Sequence, residues 1–491
     1  MSTAITRTRV ALELRLPQQR PPRVRRDWSW AQGPEGWRRG MVAAPLLGVG
    51  FAIWAFGGVY GWAYGTAYGL IFGTLALLCI RCLMGKARLR WRREYIPGLV
   101  LAGIVAAQYA GGLTAVKAST LTAGLHLGAG AALFFILSQC FDGERDEGWI
   151  SAGFAAVTLA LALLAILQIL TAANGIYWHF SYQYASPAGS FVNRNHFAGC
   201  MEMLIPVTCV AAYRRRALHW LYWIPWIAPP ALGIAALIVT ASRGGFGALA
   251  TEAALGLAIA AFWQQNRRSQ RERRKEPLPL AIAGWLPLPI GDRRHRQERR
   301  REEDRHKHAR LGRQLFAVLL AVGMTVVMVE SVGTGMLVNR LENVDRNAPS
   351  ISDRTNLNRS SWRMFEEKPI LGWGLGTWAD VYPAYALFNN GLVYEFAHND
   401  YLQLLAETGA AGGLCVLLFW MTWIWQLLRD WPELRSGRRR GAALSIAAAI
   451  ACVGMLAHSL VDFNLHIPAN LLLFFALAAV ALPPLSESLS N

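Results

Sequence analysis

The chain has 491 residues, is 54% hydrophobic with a mean hydropathy of +0.26, and carries a formal net charge of +18. Its apolar residues come in runs of about 20, the length that crosses a bilayer core, which excludes a soluble globule built around one large core. The basic residues lie between those runs without any nucleic-acid-binding motif, so the positive-inside rule accounts for the charge and no nucleic-acid partner is expected.

In chain order, residues 1–40 read as a basic cytoplasmic tail. The lead is too long and Pro-containing for a signal peptide, and the apolar run after it is long enough to span. Spans are predicted at 41–60, 64–84, 96–115, 119–140, 150–172, 196–213, 219–240 and 245–264, which makes 41–264 a block of eight transmembrane helices. Residues 265–312 form a basic cytoplasmic insertion. In it, two basic runs flank a Pro-Leu segment from Pro277 to Pro289, and it reads as a solvated linker near anionic lipid. A ninth span at 313–332 leads to a periplasmic loop at 333–401. Three more spans fill 402–484, at 402–428, 441–460 and 468–484, and a cytoplasmic tail covers 485–491.

The orientation rests on the loops. Arg81 to Arg93, Arg214-Arg215-Arg216, the 265–312 insertion and Arg429 to Arg440 all fall on one side if the spans alternate, and that side is cytoplasmic. The acidic loop 141–149 falls there too and is the one vote against. The predicted fold is an all-α integral membrane protein of about twelve transmembrane helices, with a large periplasmic loop carrying short helices. Pro225, Pro229 and Pro230 predict a kink in the span 219–240. The seven Cys lie in or beside apolar runs and read as small hydrophobes. Cys79 and Cys82 have CxxC spacing but no redox-fold context.

Function on an outward-facing membrane protein gathers in its long outer loops, here 173–195 and 333–401. Within the second, Ser352 to Phe365 has helical spacing, and Lys368 to Gly376 forms a tight glycine-rich turn. This glycine run is no dinucleotide motif, because no strand precedes it. Polar residues stand at the outer ends of spans in three places: Gly189 to Gly199, Thr240 to Gly245, and His398-Asn399-Asp400. Outer loops hold few basic residues, so Arg194, Arg243 and Arg354 are informative there. A charge near membrane depth is by default a functional hypothesis, although at an interface an Arg can snorkel. His179 and His196 read as structural or interfacial. Trp373, Trp378, Tyr382 and Tyr385 are candidates to stack on sugar rings, against the plainer reading of interfacial aromatics.

These stretches, together with His398-Asn399-Asp400-Tyr401-Leu402-Gln403 and His458-Ser459-Leu460-Val461-Asp462-Phe463, resemble the O-antigen ligase and polysaccharide polymerase (Wzy-type) superfamily, which includes protein O-oligosaccharyltransferases. The resemblance covers about 190–470 and lies in the order of the motifs. It implies a metal-independent inverting glycosyltransferase of the bacterial inner membrane whose active site faces the periplasm. The donor is a saccharide on undecaprenyl pyrophosphate, and the acceptor is a hydroxyl of a second glycan or of lipid A–core. Membrane lipid and a chain-length regulator are further partners it admits.

The residue chemistry supports this independently. Arg presents a planar fork to phosphate oxygens, so Arg194, Arg243 and Arg354 are the candidate pyrophosphate-binding residues. An imidazole accepts a proton near neutral pH, so His398 is the candidate base. Asn195, Asn399, Asp400, His458 and Asp462 are candidates to support it. No metal or other cofactor is expected: the first outer loop, Tyr60 to Tyr64, holds no carboxylate, and a hard-metal site wants several oxygens. A polymerase is slightly favoured over a ligase, since nothing announces a lipid A–core site. The rival from another class is a polysaccharide-related transporter. It would place its polar site at the membrane midplane between paired halves, which this sequence does not do.

Overall fold

The computed structural model describes residues 35–171, 175–181, 186–215, 220–273, 351–436 and 441–482. The predicted span 313–332 and most of the insertion 265–312 lie outside the described residues. Thirteen α-helices are present among those described: α1 (Glu35–Trp54), α2 (Gly61–Leu83), α3 (Tyr95–Ala110), α4 (Lys117–Cys140), α5 (Gly143–Leu170), α6 (Arg194–Arg214), α7 (Trp220–Val239), α8 (Arg243–Arg273), α9 (Ile351–Glu367), α10 (Trp378–Val381), α11 (Asp400–Ser436), α12 (Ala442–His458) and α13 (Pro468–Ala481). No strand occurs among the described residues. Seven helices are long and apolar enough to cross a membrane, and three shorter apolar helices, α3, α12 and α13, stand with them. The protein is an all-α integral membrane protein. Helices α1 to α8 and α11 to α13 fall on eleven of the predicted spans; twelve crossings remain an expectation of the sequence.

The core lies where α6 and α12 meet, flanked by α5, α7, α8 and α13. Small residues allow the close packing. The stretch Ala447, Ala448, Ala451 and Cys452 on α12 is buried, as are Ala476, Ala478 and Ala479 on α13. Such residues let helix backbones approach where no hydrophobic effect drives them together. Helix α6 is buried along nearly its whole length. Its 21 residues rise about 30 Å, close to the thickness of a hydrocarbon core. It therefore connects the two ends of the bundle.

At the basic-loop end, the acidic segment that opposed the orientation has a structural explanation. Asp142 caps α5 by accepting from the Glu144 and Arg145 amides. One turn on, Asp146 accepts from Arg38 Nη1 at 2.5 Å and Nη2 at 2.7 Å, with both side chains buried. Glu147 pairs with Arg214 at the end of α6. The acidic residues are there to neutralise arginines of neighbouring helices. Breaking such a buried pair by removing one partner costs about 3–5 kcal/mol.

At the opposite end, the turn from Pro369 to Gly376 docks into a break in α11. Gly409 has φ +64°, which interrupts the helix. The freed groups find partners on the turn: the Ala410 amide donates to Pro369 O at 2.7 Å, and the Trp373 and Gly374 amides donate to Ala406 O and Glu407 O. A Cβ at Gly409 would overlap the Ile370 backbone, and one at Gly372 would overlap that of Glu407. The buried Gln108 of α3 completes the joint, donating to Leu371 O at 2.6 Å and Glu407 O at 2.9 Å. The Glu407 carboxylate accepts from the Gly376 amide and from Gln403. This joint fixes the first turns of α11, and with them the residues that open it.

Helix α9 runs from Ile351 to Glu367, slightly beyond the predicted 352–365 at both ends. It packs Leu357 and Met364 on a small core made by the loop itself. Trp378 is fully buried there, stacked on Tyr382 with ring centroids 4.4 Å apart, and its indole N–H donates to Ser361. Trp378 is thus a packing residue and is not exposed to stack on a sugar. Trp373 donates to Met364 O and lies under Lys368.

Candidate active site

The loop between α12 and α13, residues 459–467, gathers the candidate residues. His398 has φ +54°, an uncommon backbone state for a residue with a side chain. That state turns its ring onto Phe463, edge to face at 4.7 Å between centroids, and places Nδ1 3.3 Å from Asp462 Oδ1. Phe463 in turn stacks on Phe396 and contacts the His196 ring. Strain of this kind costs roughly 1–3 kcal/mol and persists where the surroundings enforce it. Here two aromatic rings and a carboxylate do so.

Asp462 is buried, and burial by itself pushes its pKa up. The His398 imidazole, with His196 and His458 behind it, outweighs that and holds the carboxyl well below the usual carboxylate range. The Phe463 amide also donates to it at 2.9 Å. Asp462 faces Nδ1 at ion-pair distance without a hydrogen bond of good geometry, and Nε2 is the other ring nitrogen.

Asn399 is the N-cap of α11: its side-chain oxygen accepts from the Tyr401 and Leu402 amides at 3.1 Å. Its role is local, in the manner of any Asx cap. Asp400 does not cap but reaches across. It accepts from the Leu465 amide at 3.3 Å and pairs with His466 Nδ1 at 2.8 Å, while its own amide donates to Ser459 O. Burial lowers the His466 pKa, but the bond and charge of Asp400 outweigh it, and the net shift is upward.

Arg354, in the first turn of α9, donates from Nη1 to Val461 O at 2.9 Å, so its guanidinium lies beside Asp462 in the chain. Arg194 is the first residue of α6, half-buried; its amide donates to Ser186 O, and Asn193 caps the helix by accepting from the Asn195 amide at 2.8 Å. Among the described residues nothing fixes the Asn195 side chain to the 459–467 loop. Arg243 opens α8 and is exposed. The small residues after it explain the Ser-Arg-Gly-Gly pattern. Ser242 Oγ accepts from the Gly245 amide at 3.3 Å. A Cβ at Gly244 would overlap the His458 ring, and Gly245 lies against Ala198 of α6. Arg243 is thereby set beside the starts of α6 and the end of α12. Helices α6, α8 and α11 all begin at this end, so three positive dipole ends face it together.

His458 is fully buried and pairs through Nδ1 with Glu202 of α6 at 2.9 Å. Glu202 was not singled out by the sequence motifs, although a carboxylate inside an apolar run is itself a signal. His466 was likewise missed; it sits three residues beyond the last recognised motif, in the same loop. His196 is buried, as a structural residue should be, with its carbonyl accepting from Asn470. Among the described residues no cluster of His, Cys, Asp and Glu has the makings of a metal site.

The bundle and this end define an integral membrane protein with a histidine–carboxylate pair among arginines and helix starts. The family described as O-antigen ligase, Wzy_C, matches residues 230–417, which supports the O-antigen ligase, Wzy-type superfamily for this chain. The matched stretch includes Arg243, Arg354 and His398, while Arg194, His458 and Asp462 lie outside it. No curated protein matches the chain. The match supports a membrane enzyme of the O-antigen ligase and polymerase kind acting on a glycan or lipid-linked substrate.

Proposed function

We propose that the protein is an inverting glycosyltransferase that moves a saccharide from undecaprenyl pyrophosphate to an acceptor hydroxyl on the periplasmic face of the inner membrane. The observation that carries this is the His398–Asp462 pair on a loop that Arg354 also contacts. His398 Nε2 accepts the proton of the acceptor hydroxyl. The hydroxyl oxygen attacks the anomeric carbon, and the bond from that carbon to the phosphate oxygen breaks. The electron pair leaves with the pyrophosphate, and one displacement inverts the centre. Arg194, Arg243 and Arg354, with the helix starts behind them, offset the charge that develops on the leaving group, a term that in other enzymes is the largest contribution to catalysis. Asp462 stabilises the imidazolium formed in the step. This mechanism calls on no metal or cofactor.

Of the acceptors, a second lipid-linked glycan is favoured slightly, making the enzyme a polysaccharide polymerase. A lipid A–core acceptor makes it an O-antigen ligase, and a protein hydroxyl a protein O-oligosaccharyltransferase. The membrane transporter is disfavoured by the position of the polar residues at one end of the helices. A deletion strain separates these readings. Single lipid-linked repeats accumulate if the enzyme is a polymerase, and long unattached polymer on the carrier accumulates if it is a ligase. An unchanged pool of lipid-linked glycans would overturn the transferase reading.

A further inference from the structure

Helix α8 carries an acid that neither the proposed transfer step nor the packing of the bundle uses. Of the seven long spans among the described residues, α8 is the least buried and α6 the most. The side that α8 lays on the bundle begins with Gly245, Ala248 and Glu252, spaced as one helix face. Two small residues let the backbones approach, and an apolar side chain ordinarily follows on such a face. Glu252 stands there instead, 4% exposed and about 13 Å along the helix from Arg243. Opposite it, α12 has Gly454, where a Cβ would overlap the Glu252 carboxyl. The chain makes room for this carboxyl rather than filling the space with hydrocarbon.

Neither Glu252 oxygen has a hydrogen-bond partner, and among the described residues no Lys, Arg or His pairs with it. The titratable groups within electrostatic reach are Glu202 and Cys209 on α6 and Cys452 on α12. Helix α7 brings only Tyr222, near its basic-loop end. The imidazole beyond Glu202, that of His458, is already held by the Glu202 carboxylate at 2.9 Å. A carboxylate without a counter-charge is not sustained at this depth, and a second negative charge beside Glu202 is opposed as well. Glu252 therefore keeps its proton while α8 is seated. If the proton is lost, the lightly buried α8 comes off α12 and the carboxylate meets water.

We propose that Glu252 is a proton-binding site inside the membrane, and that the proton it holds seats α8 on α12. The seat reaches the outer end of the helix. Gly244 lies against the His458 ring and Gly245 against Ala198, so the turn that bears Arg243 is set by the same packing. Loss of the proton releases Arg243 from its place beside α6 and α12. That consequence for transfer rests on the transferase reading, whereas the proton site does not.

The test uses the full chain in nanodiscs. Dicyclohexylcarbodiimide, an apolar reagent for protonated carboxyls, is compared with a water-soluble carbodiimide, and peptide mass spectrometry reads the modified residue. The apolar reagent modifies Glu252 at about pH 6 and the soluble one does not. Modification falls about tenfold or more by about pH 10, a range that brackets the titration of buried glutamates. A second measurement follows α8 itself. Ala248→Cys puts a thiol on the buried face, and its alkylation by N-ethylmaleimide is read alone and combined with Glu252→Gln or Glu252→Leu. Neither replacement has a proton to lose, so the thiol's own titration cancels in the comparison, and the Leu variant serves if the Gln variant does not fold. At alkaline pH the thiol reacts about tenfold or more faster with Glu252 present than with either replacement, and at acid pH the rates agree. No modification of Glu252, modification that does not change with pH, or thiol rates that agree at every pH would each overturn the proposal. Donor turnover is followed in the same samples: it falls at alkaline pH with Glu252 and is retained with Glu252→Gln. An equal fall in both would overturn the link to Arg243. No turnover in any sample, with labelling as expected, would remove the transferase reading and leave the proton site standing.

Discussion

The two ends of the bundle use the same residue types in opposite ways. At the basic-loop end, carboxylates meet arginines: Asp146 with Arg38, and Glu147 with Arg214. Each carboxylate is matched by a guanidinium, so the pairs hold helices together and offer nothing to a substrate. At the other end, carboxylates meet histidines instead: Asp462 with His398, Asp400 with His466, and Glu202 with His458. Arg354 there is held by Val461 O. Pairing a carboxylate with an imidazole orients a ring that can both donate and accept a proton. Helix α6 contributes to both ends, with Arg214 in a closed pair and Arg194 at its open start. On the proposed reading, one end is built to persist and the other to react.

That contrast gives an ordered set of expectations. The largest effect falls on catalysis. His398→Ala lowers glycan transfer by about 10²–10⁴-fold, the usual contribution of a general base, with membrane levels unchanged, as read by donor consumption in isolated membranes. Next is Arg38→Ala at the other end. It leaves Asp146 buried without its partner and destabilises the fold by about 3–5 kcal/mol in denaturant unfolding, while turnover per folded molecule stays at the wild-type value. If Arg38→Ala abolished turnover in folded protein, the division between the ends would fail.

Arg243→Lys follows. It keeps the charge but loses the fork, and donor turnover falls about tenfold or more. Unchanged turnover would make Arg243 an interfacial anchor.

The smallest effect is on pH. His466 has a raised pKa in the folded state. The stability it contributes is therefore complete below its unfolded value of about 6.5 and is lost as pH rises through the folded value. Asp462 is shifted the other way. Its contribution is present above an unfolded value of about 3.9 and is lost only in strong acid, as pH falls through the depressed folded value. The melting temperature should thus decline from neutral to alkaline pH, and His466→Gln should remove that decline.

The sequence shows the fold class because each span carries its own signal, a run of apolar residues of the right length. It also marks Arg243, Arg354 and His398, since polar residues at span ends stand out against apolar neighbours. It does not reveal which groups meet. Asp462 follows His398 by 64 positions and lies in another loop, so only the packing of α11 on the 459–467 loop pairs them. Glu202 and His466 were overlooked for a related reason, because each has its partner on a different helix. The glycine turn was legible as a turn, but not as the part that plugs the break at Gly409, since that requires the backbone of α11. The acidic loop at 141–149 misled in isolation because its partners, Arg38 and Arg214, lie about 70 residues or more away.

The most direct test is to follow lipid-linked donor in membranes that contain equal amounts of wild-type or His398→Ala protein. The account predicts that the wild type consumes donor and releases carrier pyrophosphate, while His398→Ala leaves the donor pool intact. Consumption at the wild-type rate by His398→Ala would contradict it.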